Sequence, residues 1–195
     1  MPEIRAILRG AEELIASGGR TLLCKILKGS RDKDVLGRGL EKNPSWAFYR
    51  KLRTDDITAR IDWMILNGYL RLEYFHRLPL LCYTDAGLQI EIDMVTDEHL
   101  DELRRMASDK IELQRLAFFN EMPRQTVRKL LDKVEATADR SLIPVLQGWA
   151  RGAYKKVRAR INGVIATLER GQVSPDERSL TTRVSPRDRK KFQPS

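Results

Sequence analysis

At Asn67-Gly68 the apolar residues of this chain change period, and that switch limits the folds open to it more than any other feature. Before it, Ile57, Ile61, Met64 and Ile65 share one helical face, with Thr54 expected as the cap and Asp55-Asp56 in the positive first turn. After it, Tyr69-Leu70-Arg71-Leu72-Glu73-Tyr74 alternates, Phe75-His76-Arg77 reads as a short connection, and Leu78 to Thr84 reads as a second strand. Pro79 confines that strand to an edge, because proline has no N–H to give a ladder. A helix running directly into a hairpin is the closing half of a winged helix.

The opening half fits. Ile4, Ile7, Leu8, Ala11, Leu14 and Ile15 fall at helical spacing before Gly18-Gly19, and Leu22, Leu23, Ile26 and Leu27 mark a second helix ending at Gly29-Ser30. A short helix is expected around Val35 and Leu36, and Asn43-Pro44-Ser45 is turn chemistry. In the 43–53 turn, Trp46 and Phe48 are expected to pack as core, leaving Tyr49 beside Arg50 and Lys51 to face a partner.

Beyond residue 95 the pattern is helical. Thr96 is expected to cap a helix carrying Leu100, Leu103 and Met106, and a second helix runs from about Asp109 to Met122-Pro123. A third carries Val127, Leu130, Leu131 and Val134. Ser141 is expected to cap a fourth, with Pro144 in its first turn, and a fifth follows Gly152. The expected architecture is therefore α+β: a winged helix over 1–95, a helical bundle over 96–170, and a disordered basic tail over 171–195. The run Leu142-Ile143-Pro144-Val145-Leu146 with Val157 to Ile161 faintly resembles one HEAT unit, but a single unit of so degenerate a pattern favours a plain bundle over it.

The net charge of +9 favours a polyanionic partner, because cations that neutralise phosphates release condensed counterions. The charge is concentrated locally. From Arg20 to Arg53 there are 10 basic and 3 acidic residues, and from Arg140 to Leu168 there are 6 basic and none acidic. No apolar run is long enough to span a bilayer, and Met1-Pro2-Glu3-Ile4-Arg5 lacks the layout of a secretory leader. A cytoplasmic, nucleoid-associated protein is expected, with Cys24 and Cys82 as reduced core thiols. No metal-ligating or nucleophilic constellation is evident, so neither cofactor nor catalysis is expected.

Residues 18–87 resemble the RQC domain, the winged helix at the C-terminal end of RecQ-family helicases. The resemblance is carried by Gly19-Arg20-Thr21-Leu22-Leu23-Cys24-Lys25-Ile26-Leu27-Lys28-Gly29-Ser30, by Trp63-Met64-Ile65-Leu66-Asn67-Gly68-Tyr69-Leu70, and by Thr84-Asp85-Ala86-Gly87. It implies backbone contacts to duplex DNA from Lys28, Ser30, Arg31 and Lys33, and a wedging side chain at the wing tip. Phe75 occupies that place here, flanked by His76 and Arg77. The phosphate loop GxxxxGK[ST] of a helicase motor is absent from the sequence, as is the cysteine-rich zinc module. The expected function is DNA binding at duplex ends or double-strand/single-strand junctions, with a helicase, nuclease or other DNA-processing protein as a further partner. Arg151, Lys155, Lys156 and Arg158 would extend the DNA footprint. Two other functions fit the same fold: a transcription regulator reading a groove with the 54–67 helix, and a protein–protein adaptor.

Overall fold

The computed structural model describes residues 2–108 and 113–171. Helix α1 (Pro2–Ala11) buries Ala6, Ile7, Leu8 and Ala11 on one face. It stops short of Ile15, where the apolar spacing would carry it: a 3-10 turn over Glu12–Leu14 follows, and Ala16 takes a positive φ of 56°. Helix α2 (Arg20–Lys28) buries Leu23, Cys24, Ile26 and Leu27. Its end is fixed by Gly29, which sits at φ 79° and gives its N–H to the Ile26 carbonyl, while Ser30 N–H reaches Lys25 O at 2.9 Å. That left-handed cap favours glycine, and a Cβ at 29 would lie 2.6 Å from Ala47 Cβ.

Helix α3 (Lys33–Gly37) is the expected short helix, capped by the Asp32 carboxylate, which accepts from the Asp34 and Val35 amides. Helix α4 (Thr54–Leu66) buries Ile57, Ile61 and Met64. Thr54 is its first helical residue and not its cap. Arg53 holds the cap position without a side-chain bond, and Thr58 gives its hydroxyl proton to Thr54 O instead.

Strands β1 (Leu70–Phe75) and β2 (Leu78–Tyr83) pair antiparallel, with Leu70 opposite Tyr83 and Phe75 opposite Leu78. The connection is therefore His76-Arg77 alone, with His76 at φ 54°. Leu81 also bonds outward, receiving Ala16 N–H and giving its own to Gly18 O, so the 16–18 segment covers the inner end of the β2 edge. These elements enclose one core, whose members include Leu8, Leu14, Leu23, Ile26, Leu27, Ile57, Ile61, Met64, Leu70 and Leu81. Both cysteines are buried and free. Helix, turn, helix and hairpin in this order form a winged helix.

Helix α5 (Asp85–Ser108) runs unbroken through Thr96. That residue is fully buried and bonds its hydroxyl back to Ile92 O and Asp93 O, so it lies inside a helix and does not begin one. The described residues divide into two compact units, the first 2–102 with 123–130 and the second 103–108, 113–122 and 131–171. The division falls inside α5 and again inside α7 (Arg124–Thr137).

The second unit is all helical: α6 (Leu113–Phe118), the end of α7, α8 (Ile143–Gly152) and α9 (Lys155–Arg170). Its interior includes Phe119, Val134, Leu142, Leu146, Trp149, Ile161 and Val164. Ser141 is not the cap expected of it. It lies in a 3-10 turn over Arg140–Leu142 whose amide is held by the Asp139 carboxylate, and Ile143 opens α8. The α+β architecture of winged helix plus helical bundle stands, while the expected helix start near Asp109 and the tail beyond Gly171 lie outside the described residues. Among the described residues no helix is long and apolar enough to cross a membrane.

Candidate nucleic-acid interface

The α2–α3 junction gathers cations, though not all of them are available. Lys28 Nζ donates to Arg50 O at 2.9 Å and to Leu52 O at 2.5 Å, tying the end of α2 to the 50–52 segment. Ser30 Oγ accepts the Asp32 amide at 3.3 Å, and Ser30 O accepts Trp46 Nε1 at 3.3 Å. Lys25 Nζ sits 2.5 Å from Asp32 and 3.4 Å from Asp34, and its hydrogen bond to Asp32 is the main reason that carboxyl is held below the usual range. The N-terminus of α3 is thus closed by an internal anion. The cations left outward are Arg31, Lys33, Arg50 and Lys51, all exposed. They surround a junction whose backbone is fixed by Gly29, by Lys28, and by the Ala47 and Tyr49 amides on the last carbonyls of α2.

The aromatic turn is reversed from its sequence reading. Tyr49 is 6% exposed and packs in the core, with the Arg60 guanidinium 5.5 Å from its ring centroid; Phe48 is 47% exposed. The cause is the backbone. Tyr49 N–H bonds to Leu27 O, which points its side chain inward against α2 and turns its neighbour out. Trp46 is partly buried. Burial pushes the Tyr49 phenol up to about 12.

The wing presents an apolar tip. Phe75 is 64% exposed, with the His76 ring edge-on at 4.7 Å, and Tyr74 and Leu78 are exposed as well. Further along, Arg71 and Glu73 pair at 2.6 Å on the solvent side. Arg77 is exposed at the turn. Tyr74 and Leu78 were not singled out by the sequence reading. Tyr74 shares the face of core-facing Leu70 and Leu72, while Leu78 lies opposite Phe75 on the other face; both are exposed here, where the wing has run past the body of the domain.

Residues 2–93 match the family model of the RQC domain. The chain carries an RQC domain. That assignment takes in α1, which lies ahead of the residues on which the sequence resemblance rested, and it points to nucleic acid as the partner. No curated protein and no solved structure matches the chain significantly.

On the RQC domain, α4 shows Asp55 and Asp56 to solvent, while Asp62 is engaged by Arg20 at 2.6 Å. Trp63 is half-exposed and stacks on Tyr69 at 6.0 Å. Outside it, the basic stretch at 140–168 is less free than its sequence suggests. Arg160 pairs with Asp132 at 2.7 Å and Glu135 at 2.6 Å, acids supplied by α7. Arg158 donates Nε to Ala150 O and Nη2 to Ala153 O, closing the end of α8. Arg151, Lys155 and Lys156 remain exposed.

Proposed function

We propose that the protein binds DNA at duplex ends or double-strand/single-strand junctions, clamping the backbone at the α2–α3 junction and wedging the wing tip against the terminal pair. The observation that carries this reading is the projecting Phe75, supported by exposed Tyr74 and Leu78, on an RQC domain. Rings this exposed at a hairpin tip bury little surface for the fold, whereas stacking on an opened base would bury their faces. The clamp is drawn from Arg31, Lys33, Arg50 and Lys51, with Lys28 and Ser30 shaping the backbone that presents them. The protein acts on this reading by binding, without chemistry of its own, and serves a helicase, nuclease or related enzyme at the nucleoid.

A second reading has one observation in its favour. Trp63 and the highly exposed Leu66 lie on α4 beside a groove lined by Ile4, Ile7 and Met64, which suits an adaptor that docks protein. The groove-reading regulator has less support, because the exposed start of α4 is acidic.

The test is affinity for forked duplex, blunt duplex and single strand over a salt series, with Phe75→Ala and with Arg31→Ala/Lys33→Ala. The clamp variant should weaken every duplex ligand and flatten the salt slope by about 0.9 per lost phosphate contact. Phe75→Ala should weaken the fork selectively. Absence of any salt-dependent binding would leave the adaptor reading.

A further inference from the structure

The second unit carries exposed aromatic rings that the winged helix does not account for. Phe118 closes α6 and is 54% exposed; Tyr154 stands at the start of α9 and is 73% exposed. One side chain holds their two segments together. The Asn120 amide donates to Gly152 O at 3.2 Å and its carbonyl accepts Trp149 Nε1 at 3.0 Å, which pins the turn after α6 to the end of α8. Beneath this, Phe119 packs on Trp149 with centroids 5.2 Å apart. Arg158 fixes the other side of the corner through Ala150 O and Ala153 O, so Tyr154 leaves from a held backbone.

The same corner is basic. Arg151, Lys155 and Lys156 flank Tyr154 and are exposed, while the acids of α7, Asp132 and Glu135, are taken by Arg160. Glu121 is the exposed acid next to Asn120 in the chain. A polyanion that also offers flat apolar faces satisfies both halves of this surface, rings on bases and cations on phosphates. Duplex hides its base faces, and a purely acidic peptide has no flat apolar face to lay on the two rings.

We infer that the α6/α8–α9 corner is a binding surface for single-stranded nucleic acid, with Phe118 and Tyr154 stacking on bases and Arg151, Lys155 and Lys156 on the backbone. Arg158 is a positioning residue. The surface belongs wholly to the helical unit and does not depend on the wing.

The test uses the full chain and a fluorescently labelled oligo-dT, which cannot pair with itself. Phe118→Ala and Tyr154→Ala should each raise Kd roughly 5- to 100-fold with the thermal unfolding profile unchanged. Tyr154→Phe should bind as the parent does. Lys155→Ala/Lys156→Ala should flatten the salt slope by about 1.4, at about 0.7 per contact for single strands. Photocrosslinking to an oligonucleotide carrying 5-bromodeoxyuridine should map to Phe118 or Tyr154. Folded Ala variants that bind oligo-dT as the parent does would overturn the proposal. So would a loss of affinity for poly-glutamate in Tyr154→Ala as large as the loss for oligo-dT, because the ring would then not be reading bases. Measuring Phe75→Ala in parallel separates the two surfaces: a fork-specific loss there bears on the wedge alone, and an oligo-dT loss in Tyr154→Ala bears on this corner alone.

Discussion

At Arg9 a single substitution would strand a buried charge in the winged helix. The Arg9 guanidinium lies 2.9 Å from Glu91, 2.9 Å from Glu12 and 2.6 Å from Glu98, bringing α1 and α5 together. The Glu91 side chain is only 6% exposed, and burial already raises its pKa above the ordinary value in spite of Arg9. Arg9→Met would leave that carboxylate buried opposite two others. Breaking such a pair costs about 3–5 kcal/mol, and the solvent exposure of Glu12 and Glu98 puts this case near the lower end, at about 3 kcal/mol. The cost depends on pH. A carboxyl whose folded pKa lies above its unfolded one binds more protons when folded, so stability falls as pH rises through that interval. Without Arg9 the interval widens, and the deficit of the variant is largest at neutral pH and shrinks toward the ordinary carboxylate range. Equilibrium urea unfolding of both proteins at about pH 7.5 and about pH 5.5, followed by circular dichroism and fluorescence, measures this. The double variant Arg9→Met/Glu91→Leu should recover most of the loss. A deficit below about 1 kcal/mol, or one independent of pH, would refute the reasoning.

The reversed aromatic turn predicts that Tyr49→Ala destabilises by about 3–5 kcal/mol while Phe48→Ala, which loses only an edge-on ring contact to Tyr49, costs about 0.5–1.5 kcal/mol, both read by urea unfolding. Gly29→Ala must accept a positive φ and a clash with Ala47, and should lower stability by at least about 1–3 kcal/mol in the same assay. Lys28→Met removes the tie to Arg50 O and Leu52 O, so its effect on DNA affinity should be accompanied by a lower melting temperature, whereas Arg31→Ala and Lys33→Ala should change affinity alone.

The winged helix was legible because its signals are local: a period change at Asn67-Gly68, a glycine cap at 29, and alternation along the wing. Thr96 and Ser141 misled for a shared reason. A hydroxyl beside an apolar run signals a helix start, but the same hydroxyl can bond back to a carbonyl one turn earlier, as at Thr96, or a neighbouring Asp139 can cap the turn instead. How many cations the candidate surfaces leave open was less legible, because charge in sequence is not charge in space. No acid lies between Arg140 and Leu168, yet Arg160 is neutralised by α7, and Lys28 and Arg158 spend their donors on carbonyls. Which of Phe48 and Tyr49 turns inward is set by one backbone bond to Leu27, to which composition is blind.

The proposed wedging can be tested directly. A forked duplex with 2-aminopurine at the last paired position brightens when that base loses its stacking partner. The account predicts a saturable rise in fluorescence with the parent protein, abolished in Phe75→Ala at concentrations where the fork is still bound through the α2–α3 clamp. An equal rise with Phe75→Ala, or none with the parent at saturation, would contradict it.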